Sequence, residues 1–334
     1  MKQQVTILKC SNPGVTDFYL NIIQKMFRNA DYLVTEELVS ASELHGTKND
    51  IIVVSSCTTF FRLYILGYRK LIYWMQGIEA EESFLKHSSK TRKFVLDTMT
   101  KTAVKKAKGI FYVSKAMRRF IDDKFKINTE NKSFLMPCFN CTLQENAFRR
   151  DGKYSKNIFA YVGSLSKWQC FDQTVDFFKK VRSVVPDAQL RIYTEEKEKA
   201  KEILEKKQIT EYELLFVPSD ALAASLSDVK FGFVLRDDIP INNVATPTKL
   251  SSYMSAGVIP VFSECINDFN QYSKKLKYCV SVENDFVVPQ SLIDMCKNEV
   301  DANDIWCEYK KVFNTYFSAD YYISSGSYWL KSLF

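Results

Sequence analysis

The chain has 334 residues, about twice the length of a common single domain, and this length favours two domains with separate cores. Hydrophobic residues make up 46% and charged residues 25%, values typical of globular proteins that exclude a disordered chain. The 46 basic and 39 acidic residues give a net charge of +7, which is distributed unevenly along the sequence.

Cysteine and targeting patterns indicate a reducing compartment. One Cys-x-x-Cys pair, Cys138 with Cys141, occurs beside only two histidines, too few ligands for a structural zinc site. The first residues lack an apolar signal core, and no apolar stretch approaches the ~20 residues of a membrane span. We therefore expect a cytoplasmic protein that is either soluble or bound peripherally to the inner face of the membrane.

Short apolar runs alternate with helical patterns through the first half. The predicted strands cover residues 5–10, 31–35, 51–55, 71–75, 110–113 and 133–136. The predicted helices cover residues 16–28, 58–67, 90–108 and 114–126. Apolar strands separated by helices are typical of a parallel sheet with both faces covered.

The predicted helix over residues 90–108 lies in a strongly basic region. Between Lys86 and Lys126 there are thirteen basic and three acidic residues, a local charge of +10 that leaves −3 for the rest of the chain. Phe94, Val95, Met99 and Val104 would form its apolar side. A solvated surface helix and an electrostatic contact with anionic lipid headgroups both fit this pattern. Nucleic acid is not expected as a partner, because the region contains no recognisable binding motif.

A polar stretch over residues 140–157 separates this half from a second one with the same rhythm. Here the predicted strands cover residues 158–163, 190–193, 214–217, 231–235 and 258–262, with helices over 171–184 and 195–207. The fold class is therefore α/β, with two tandem, doubly wound, Rossmann-like domains expected to face a cleft. The predicted domains are residues 1–145, 155–300 and a tail, 301–334. The tail is predicted to form helices, with a helical pattern over 304–322, and to cross back to the first domain.

The segment over residues 231–261 carries the strongest chemical signal. It predicts a strand, a loop with Arg236, and a helix with Thr246 as N-cap, Pro247 in the first turn and closure at Gly257. A helix start attracts anions, and a lysine there opposes the macrodipole unless an anion is near. We therefore expect Arg236 and Lys249 to converge on a negatively charged group such as a diphosphate. An ordinary strand-loop-helix with surface cations is the alternative.

This segment resembles the donor-binding signature of GT-B glycosyltransferases of the large retaining family four, in the forms typical of bacterial capsule and O-antigen synthesis. The matching residues are Arg236, Asp237, Asp238, Asn243, Ala245, Pro247, Thr248, Lys249, Tyr253 and Gly257. Residues 161–168 resemble the glycine loop that opens the second domain, and residues 73–82 resemble the Gln-Gly-x-x-x-Glu-Glu loop of the acceptor domain. The resemblance covers most of the chain in the same order.

The resemblance implies transfer of a sugar from a nucleotide-diphosphate donor to a glycan or lipid-linked acceptor, without a metal or other cofactor. It assigns catalysis to Arg236, Lys249 and Gln76. It assigns donor binding to Gly14, Gly163, Ser164, Lys167, Asn243, Thr246, Pro247, Thr248 and Ser252. The acceptor residues would be Gly77, Glu81 and Glu82.

Several positions depart from the family pattern. Val244 and Ser252 stand where members commonly carry two glutamates, the second of which holds the ribose. Ser164 and Gln169 replace the common arginine and lysine of the glycine loop, with Lys167 as a possible substitute, and Gln76 lies where a histidine is frequent. A modified active site and a non-catalytic binding or accessory protein both remain open at this point. No Gly-rich phosphate loop or nucleophile elbow occurs, which excludes P-loop, dinucleotide-redox and serine hydrolase chemistry.

Overall fold

The computed structural model describes residues 3–9, 15–38, 44, 47–218 and 220–334. Its contacts divide the chain into two compact units, each built around one sheet. The first unit contains Met1–Cys138, Val244–Thr246 and Ser318–Phe334, and the second contains Phe139–Asn243 and Pro247–Phe317. The domain limits inferred from the sequence remain predictions, because this division follows contacts and not sequence boundaries. The chain after residue 300 contributes to both units.

The first unit contains a parallel sheet of six strands in the order β2-β1-β3-β4-β5-β6. Every residue of β3, β4 and β5 is buried, which explains why these strands are apolar at successive positions. The strands are β1 (Gln4–Lys9), β2 (Leu33–Leu38), β3 (Ile51–Val54), β4 (Leu71–Met75), β5 (Gly109–Tyr112) and β6 (Ser133–Leu135).

The helices of this unit include α1 (Val15–Asn29), α2 (Cys57–Ile65), α3 (Glu79–His87), α4 (Lys90–Lys106) and α5 (Lys115–Phe125). Serine side chains set three of their starts. The hydroxyls of Ser56, Ser89 and Ser114 accept hydrogen bonds from first-turn N–H groups of α2, α4 and α5. Helix α3 begins only four residues after β4 ends, so the predicted Gln-Gly-x-x-x-Glu-Glu loop is mostly helical.

The apolar side predicted for α4 is only partly correct. Its buried residues are Thr100, Ala103 and Val104, whereas Phe94 is 71% exposed and Val95 is 44% exposed. Small residues face the core because α4 packs closely against α2 and α3. The larger apolar side chains near its start are left in solvent.

The second unit also contains six parallel strands, in the order β12-β11-β10-β7-β8-β9. Its core includes Phe159, which stacks on Phe231 and Phe233 with ring centroids 4.7 and 5.3 Å away. The strands are β7 (Ile158–Val162), β8 (Gln189–Tyr193), β9 (Glu213–Leu215), β10 (Phe231–Val234), β11 (Ile259–Ser263) and β12 (Val280–Val282). The sequence pattern missed β12, which has three residues, one of them an exposed serine.

The helices of the second unit support the strands and connect them. They are α6 (Glu145–Phe148), α7 (Phe171–Val184), α8 (Lys197–Lys206), α9 (Leu222–Ser225), α10 (Pro240–Asn243), α11 (Thr248–Ser255), α12 (Asn267–Ser273), α13 (Gln290–Lys297) and α14 (Ala302–Thr315). The chain thus forms two Rossmann-like domains, as the alternating pattern predicts.

The tail consists of two helices, α14 and α15 (Ala319–Leu333), and the break between them falls inside the helical pattern over 304–322. The hydroxyl of Ser318 accepts a hydrogen bond from the N–H of Tyr321 and so starts a new helix. Helix α15 packs on α1, where Gly326 lies against the side chain of Met26. No helix in the described ranges is long and apolar enough to cross a membrane.

Candidate functional site

Arg236 follows β10 at the carboxyl end of the second sheet, where doubly wound sheets bind their ligands. Its backbone N–H donates to the hydroxyl of Ser263, 2.8 Å away at the end of β11. The guanidinium Nη1 donates to the carbonyls of Gln169 and Leu235, at 3.0 and 2.8 Å, and Nη2 donates to Oε1 of Gln169. Arg236 is therefore buried and held by backbone and amide groups.

Lys249 lies in the first turn of α11, and its ammonium nitrogen is buried without a hydrogen-bond partner among the described residues. The Nζ atom lies 4.2 Å from the centroid of the Tyr161 ring. Gly163 allows this approach, because a Cβ there would lie 2.9 Å from Cε of Lys249, and its φ of +122° also favours glycine. The side chain of Lys249 thus lies against the loop that follows β7.

Both cations lie in an environment that penalises positive charge. Burial lowers the pKa of Lys249 well below its usual value, and the nearby charge of Arg236 lowers it further. Burial also lowers the pKa of Arg236. Neither residue makes an ion pair with a described residue. Two neighbouring buried cations are unfavourable when no anion lies beside them. This arrangement is therefore suited to bind an anion.

The start of α11 differs from the sequence prediction. Its N-cap is Pro247, not Thr246, and the helix begins at Thr248. The Thr246 hydroxyl is instead used within the first unit, where it accepts from the N–H of Cys138 at 2.9 Å. Because Pro247 has no side-chain acceptor, the first N–H groups of α11 have no side-chain cap. Uncapped N–H groups at a helix start are suited to contact an anion.

Two predicted donor residues form hydrogen bonds inside the second unit. The amide of Asn243 donates to Oδ1 of Asp238 at 2.7 Å and to the carbonyl of Cys265. The hydroxyl of Ser252 lies 3.1 Å from both Oδ1 of Asn140 and the carbonyl of Thr248. Asn243 and Ser252 therefore support the loop and helix around Lys249, and their direct contact with a ligand stays a prediction.

The glycine loop contributes exposed polar groups. Ser164 and Lys167 are both exposed, and the Ser164 hydroxyl lies 3.1 Å from that of Ser166. Lys167 begins a short 3-10 turn that ends at Gln169. Gly14, the remaining predicted donor residue, lies outside the described residues.

Sequence reasoning missed the structural role of Gln169 and the ring of Tyr161. Gln169 was recognised only as the residue at the family's lysine position, yet its carbonyl and amide oxygens hold the guanidinium of Arg236. No sequence signal marks a backbone carbonyl as a ligand for a distant arginine. Tyr161 lies in the predicted strand over residues 158–163 and begins the segment that resembles the glycine loop, but neither pattern predicts that its ring lies beside the ammonium of Lys249.

Gln76, predicted to be catalytic, and the predicted acceptor residues lie together in the first unit, at the carboxyl end of β4. Gln76 and Gly77 directly follow the strand, and Glu81 and Glu82 lie in the first turn of α3. Glu81 forms ion pairs with Lys93 and, at 2.7 Å, with Lys124. Burial raises the pKa of Glu81, but these two ammonium groups outweigh it and lower the pKa overall. Glu81 therefore has a clear structural role.

Glu82 differs from Glu81, because it makes no ion pair with a described residue. Burial raises its pKa, and the negative charge of Glu79 raises it further, while Lys86 and a backbone hydrogen bond at Ile78 offset this only in part. Its carboxylate lies against Gly77, where a Cβ would be 2.1 Å from Oε1. Of the two predicted acceptor carboxylates, Glu82 is thus the better placed to bind another molecule.

No group of three or more His, Cys, Asp or Glu side chains in the described ranges is arranged to hold a metal ion. The chain matches no protein-family model, and no curated protein sequence matches it. Its fold, however, resembles that of many solved structures.

A mutant of S. aureus TarM, in complex with fondaparinux, alpha-GlcNAc-glycerol and UDP, is 13% identical with a TM-score of 0.63 over 86% of this chain. The match spans only 56% of the TarM chain. Sucrose-phosphate synthase from Thermosynechococcus elongatus is 9% identical with a TM-score of 0.62, covering 100% of this chain and 95% of its own. The lipopolysaccharide outer core galactosyltransferase WaaB is 15% identical with a TM-score of 0.62, covering 97% of this chain and 99% of its own. The chain therefore has the GT-B fold.

Proposed function

We propose that the protein is a glycosyltransferase that transfers a sugar from a nucleotide-diphosphate donor to a glycan or lipid-linked acceptor. The observation that carries this proposal is the buried ammonium of Lys249, which has no hydrogen-bond partner in the described part of the chain, beside the buried guanidinium of Arg236. The position of both groups at the carboxyl end of the second sheet and the GT-B fold support the same function.

In the proposed mechanism, negative charge develops on the nucleoside diphosphate as the bond to the sugar breaks. Lys249 and Arg236 stabilise this charge, and they are already oriented by Tyr161 and Gln169 before the reaction begins. The N–H groups in the first turn of α11 add further donors. In this proposal, these groups neutralise the charge of the departing diphosphate without a metal ion. Glu82, in the first unit, binds a hydroxyl of the acceptor.

Finer parts of the proposal rest on the sequence resemblance. The resemblance to retaining family-four enzymes supports transfer with retention of anomeric configuration and a role in bacterial surface polysaccharide synthesis. Among the structural neighbours, TarM was solved with UDP, and WaaB is named for lipopolysaccharide outer core synthesis. A donor with a uridine diphosphate group and a surface-glycan acceptor are thus the first candidates.

Direct nucleotide binding tests the donor site. We expect UDP or GDP to raise the unfolding temperature, because a ligand at a hundred times its Kd stabilises the folded state by about 2.7 kcal/mol. UMP and GMP, which differ from UDP and GDP only by the missing β-phosphate, serve as the matched controls and are expected to have a smaller effect. The same shift in EDTA and in magnesium would support the metal-independent proposal. Absence of a shift with every nucleoside diphosphate would contradict the proposed donor site.

The pH dependence of this binding provides a sharper test. Because the pKa of Lys249 is low in the free protein, an adjacent diphosphate should raise it and cause proton uptake on binding. Affinity is therefore expected to fall as the pH rises from the free-protein pKa towards that of the complex. Calorimetry in buffers of different ionisation enthalpy measures the uptake. Proton release over this range would show that Lys249 does not contact the bound anion.

Helix α4 supports a peripheral contact with the membrane. Its exposed residues at helical spacing include Phe94, Val95, Lys101 and Lys105, so apolar and cationic side chains share one face. Each basic residue near an anionic membrane contributes about 1 kcal/mol to the binding free energy. Exposed apolar side chains strengthen binding further when they insert into the headgroup region. We propose that this face rests on anionic lipid.

Vesicle binding by Lys101→Gln tests the membrane contact. The variant is expected to bind vesicles of phosphatidylglycerol about fivefold more weakly than the unsubstituted protein, since it loses about 1 kcal/mol of attraction. Lys201→Gln, which removes an exposed lysine of α8 in the second unit, should bind normally. Equal binding to vesicles of pure phosphatidylcholine would contradict an electrostatic contact.

A further inference from the structure

A cavity in the second unit lies at the amino ends of β7 and β10, opposite the end that carries Arg236. Its volume is about 870 Å³, within the range of sites for small organic ligands. It is formed by the segment around Lys153, by Lys230 just before β10, and by the connection from α13 to α14. None of the described residues proposed to bind the donor lines it.

The two buried acidic or basic side chains in the described lining of this cavity, Lys153 and Lys230, are both basic, and each is 1% exposed. The acidic residues Asp151 and Glu299 are exposed, so solvent screens their charge. The third acidic residue of the lining, Asp301, is already used as the N-cap of α14. The charges least screened by water are therefore positive.

Lys153 and Lys230 differ in how their ammonium groups are satisfied. Lys153 donates to the carbonyls of Leu226 and Ala256, at 3.1 and 2.7 Å. Lys230 makes no ion pair with a described residue, and its Nζ lies 5.4 Å from the centroid of the Phe231 ring. Burial lowers the pKa of both lysines, to about 7 for Lys153, and the carboxylates of Asp228, near Lys153, and Asp187, near Lys230, offset this only in part. The ammonium of Lys230 thus has capacity for an additional anionic partner.

Two further basic residues widen this positive surface. Arg150, whose Nη1 donates to the hydroxyl of Ser227 at 2.7 Å, and the exposed Lys297 also line the cavity. A phosphate group has several oxygens and can accept charge-assisted hydrogen bonds from more than one of these side chains. The remaining volume exceeds what one phosphate group fills, which leaves room for an organic part.

We propose that this cavity binds a small phosphate-bearing molecule, with Lys230 as the buried anchor of the phosphate. The site is separate from the proposed donor site, and the inference does not depend on glycosyl transfer. Lys153 connects its wall to the carboxyl end of α11, because it donates to Ala256, the C-cap of that helix. The ligand therefore lies beside a group that holds the helix bearing Lys249.

Calorimetric titration with inorganic pyrophosphate tests the proposal in a Lys249→Met background, which weakens binding at the donor site. We expect saturable binding that Lys230→Met weakens about tenfold and that Lys230→Arg largely retains. A separate titration with a sugar phosphate distinguishes a bare phosphate ligand from one with an organic part. Binding of either probe that depends on Lys230 supports the proposal.

The controls separate this site from the donor site and from misfolding. The unfolding temperature of each variant must show a folded protein. Lys201→Met in the Lys249→Met background should bind pyrophosphate as tightly as Lys249→Met alone. Absence of binding in the Lys249→Met background, or equal binding after Lys230→Met, would overturn the proposal. If Lys249→Met leaves the affinity for UDP unchanged, the proposed donor site fails while the test of the cavity still stands.

Discussion

Replacing Lys249 by methionine is expected to reduce sugar transfer by about a hundredfold to a thousandfold while raising the thermal stability of the unliganded protein. The loss follows because a preorganised donor aimed at developing negative charge is worth about that much in rate. The gain follows because methionine fills a similar volume without a buried charge that lacks an anion. Steady-state kinetics and thermal unfolding measure the two effects.

The stability gain has a definite pH dependence. A lowered pKa means that the folded protein binds fewer protons than the unfolded chain between the two pKa values. Below the folded-state pKa of Lys249 the full cost of its buried charge is present, and the cost declines as the pH rises towards the unfolded value. The difference between the variant and the unsubstituted protein should therefore be largest at low pH and shrink in alkaline solution.

A matched control is Lys201→Met, which removes an exposed lysine of α8 in the same unit. It should change neither transfer nor stability appreciably, because its ion pair with Glu205 is solvent-exposed. A loss of both stability and activity in Lys249→Met would instead indicate that Lys249 supports the fold. Nucleotide affinity should fall together with the rate, since the same charge contacts the ground-state diphosphate.

The fold could be predicted because the alternation of apolar strands with helices directly encodes two covered parallel sheets. The pattern could not predict which arc of a helix faces the core. In α4 the small residues Ala103 and Thr100 are buried, whereas the larger Phe94 is exposed. Close packing against α2 and α3 decides this, and it depends on neighbours that sequence periodicity does not contain.

The chemistry of the candidate site could be predicted in part. The residue types and spacing around Arg236 and Lys249 indicated two cations at a strand end and a helix start, and the structure places both near Tyr161. The partners of those cations could not be predicted. Gln169 accepts hydrogen bonds from Arg236, although the two residues are 67 positions apart in the sequence. The N-cap predicted at Thr246 is wrong, because the Thr246 hydroxyl accepts a hydrogen bond from the N–H of Cys138 instead.

The second prediction with a large expected effect concerns the two adjacent carboxylates Glu81 and Glu82. Glu82→Ala is expected to lower kcat/KM for the acceptor by about thirtyfold, because a hydrogen bond to a charged group contributes about 2 kcal/mol. The affinity for the nucleoside diphosphate should not change, since that site lies in the other unit. Kinetics at varied acceptor concentration, together with nucleotide titration, measure both effects.

Glu81→Ala is the matched comparison, because the two residues are neighbours on α3 but have different partners. Glu81 pairs with Lys93 and Lys124, so its removal should lower the unfolding temperature more than that of Glu82. Gly77→Ala should reproduce the kinetic defect of Glu82→Ala, because the new methyl group would displace the Glu82 carboxylate. If Glu81→Ala reduces acceptor turnover and Glu82→Ala does not, the acceptor contact belongs to Glu81 and its ion pairs must open on binding.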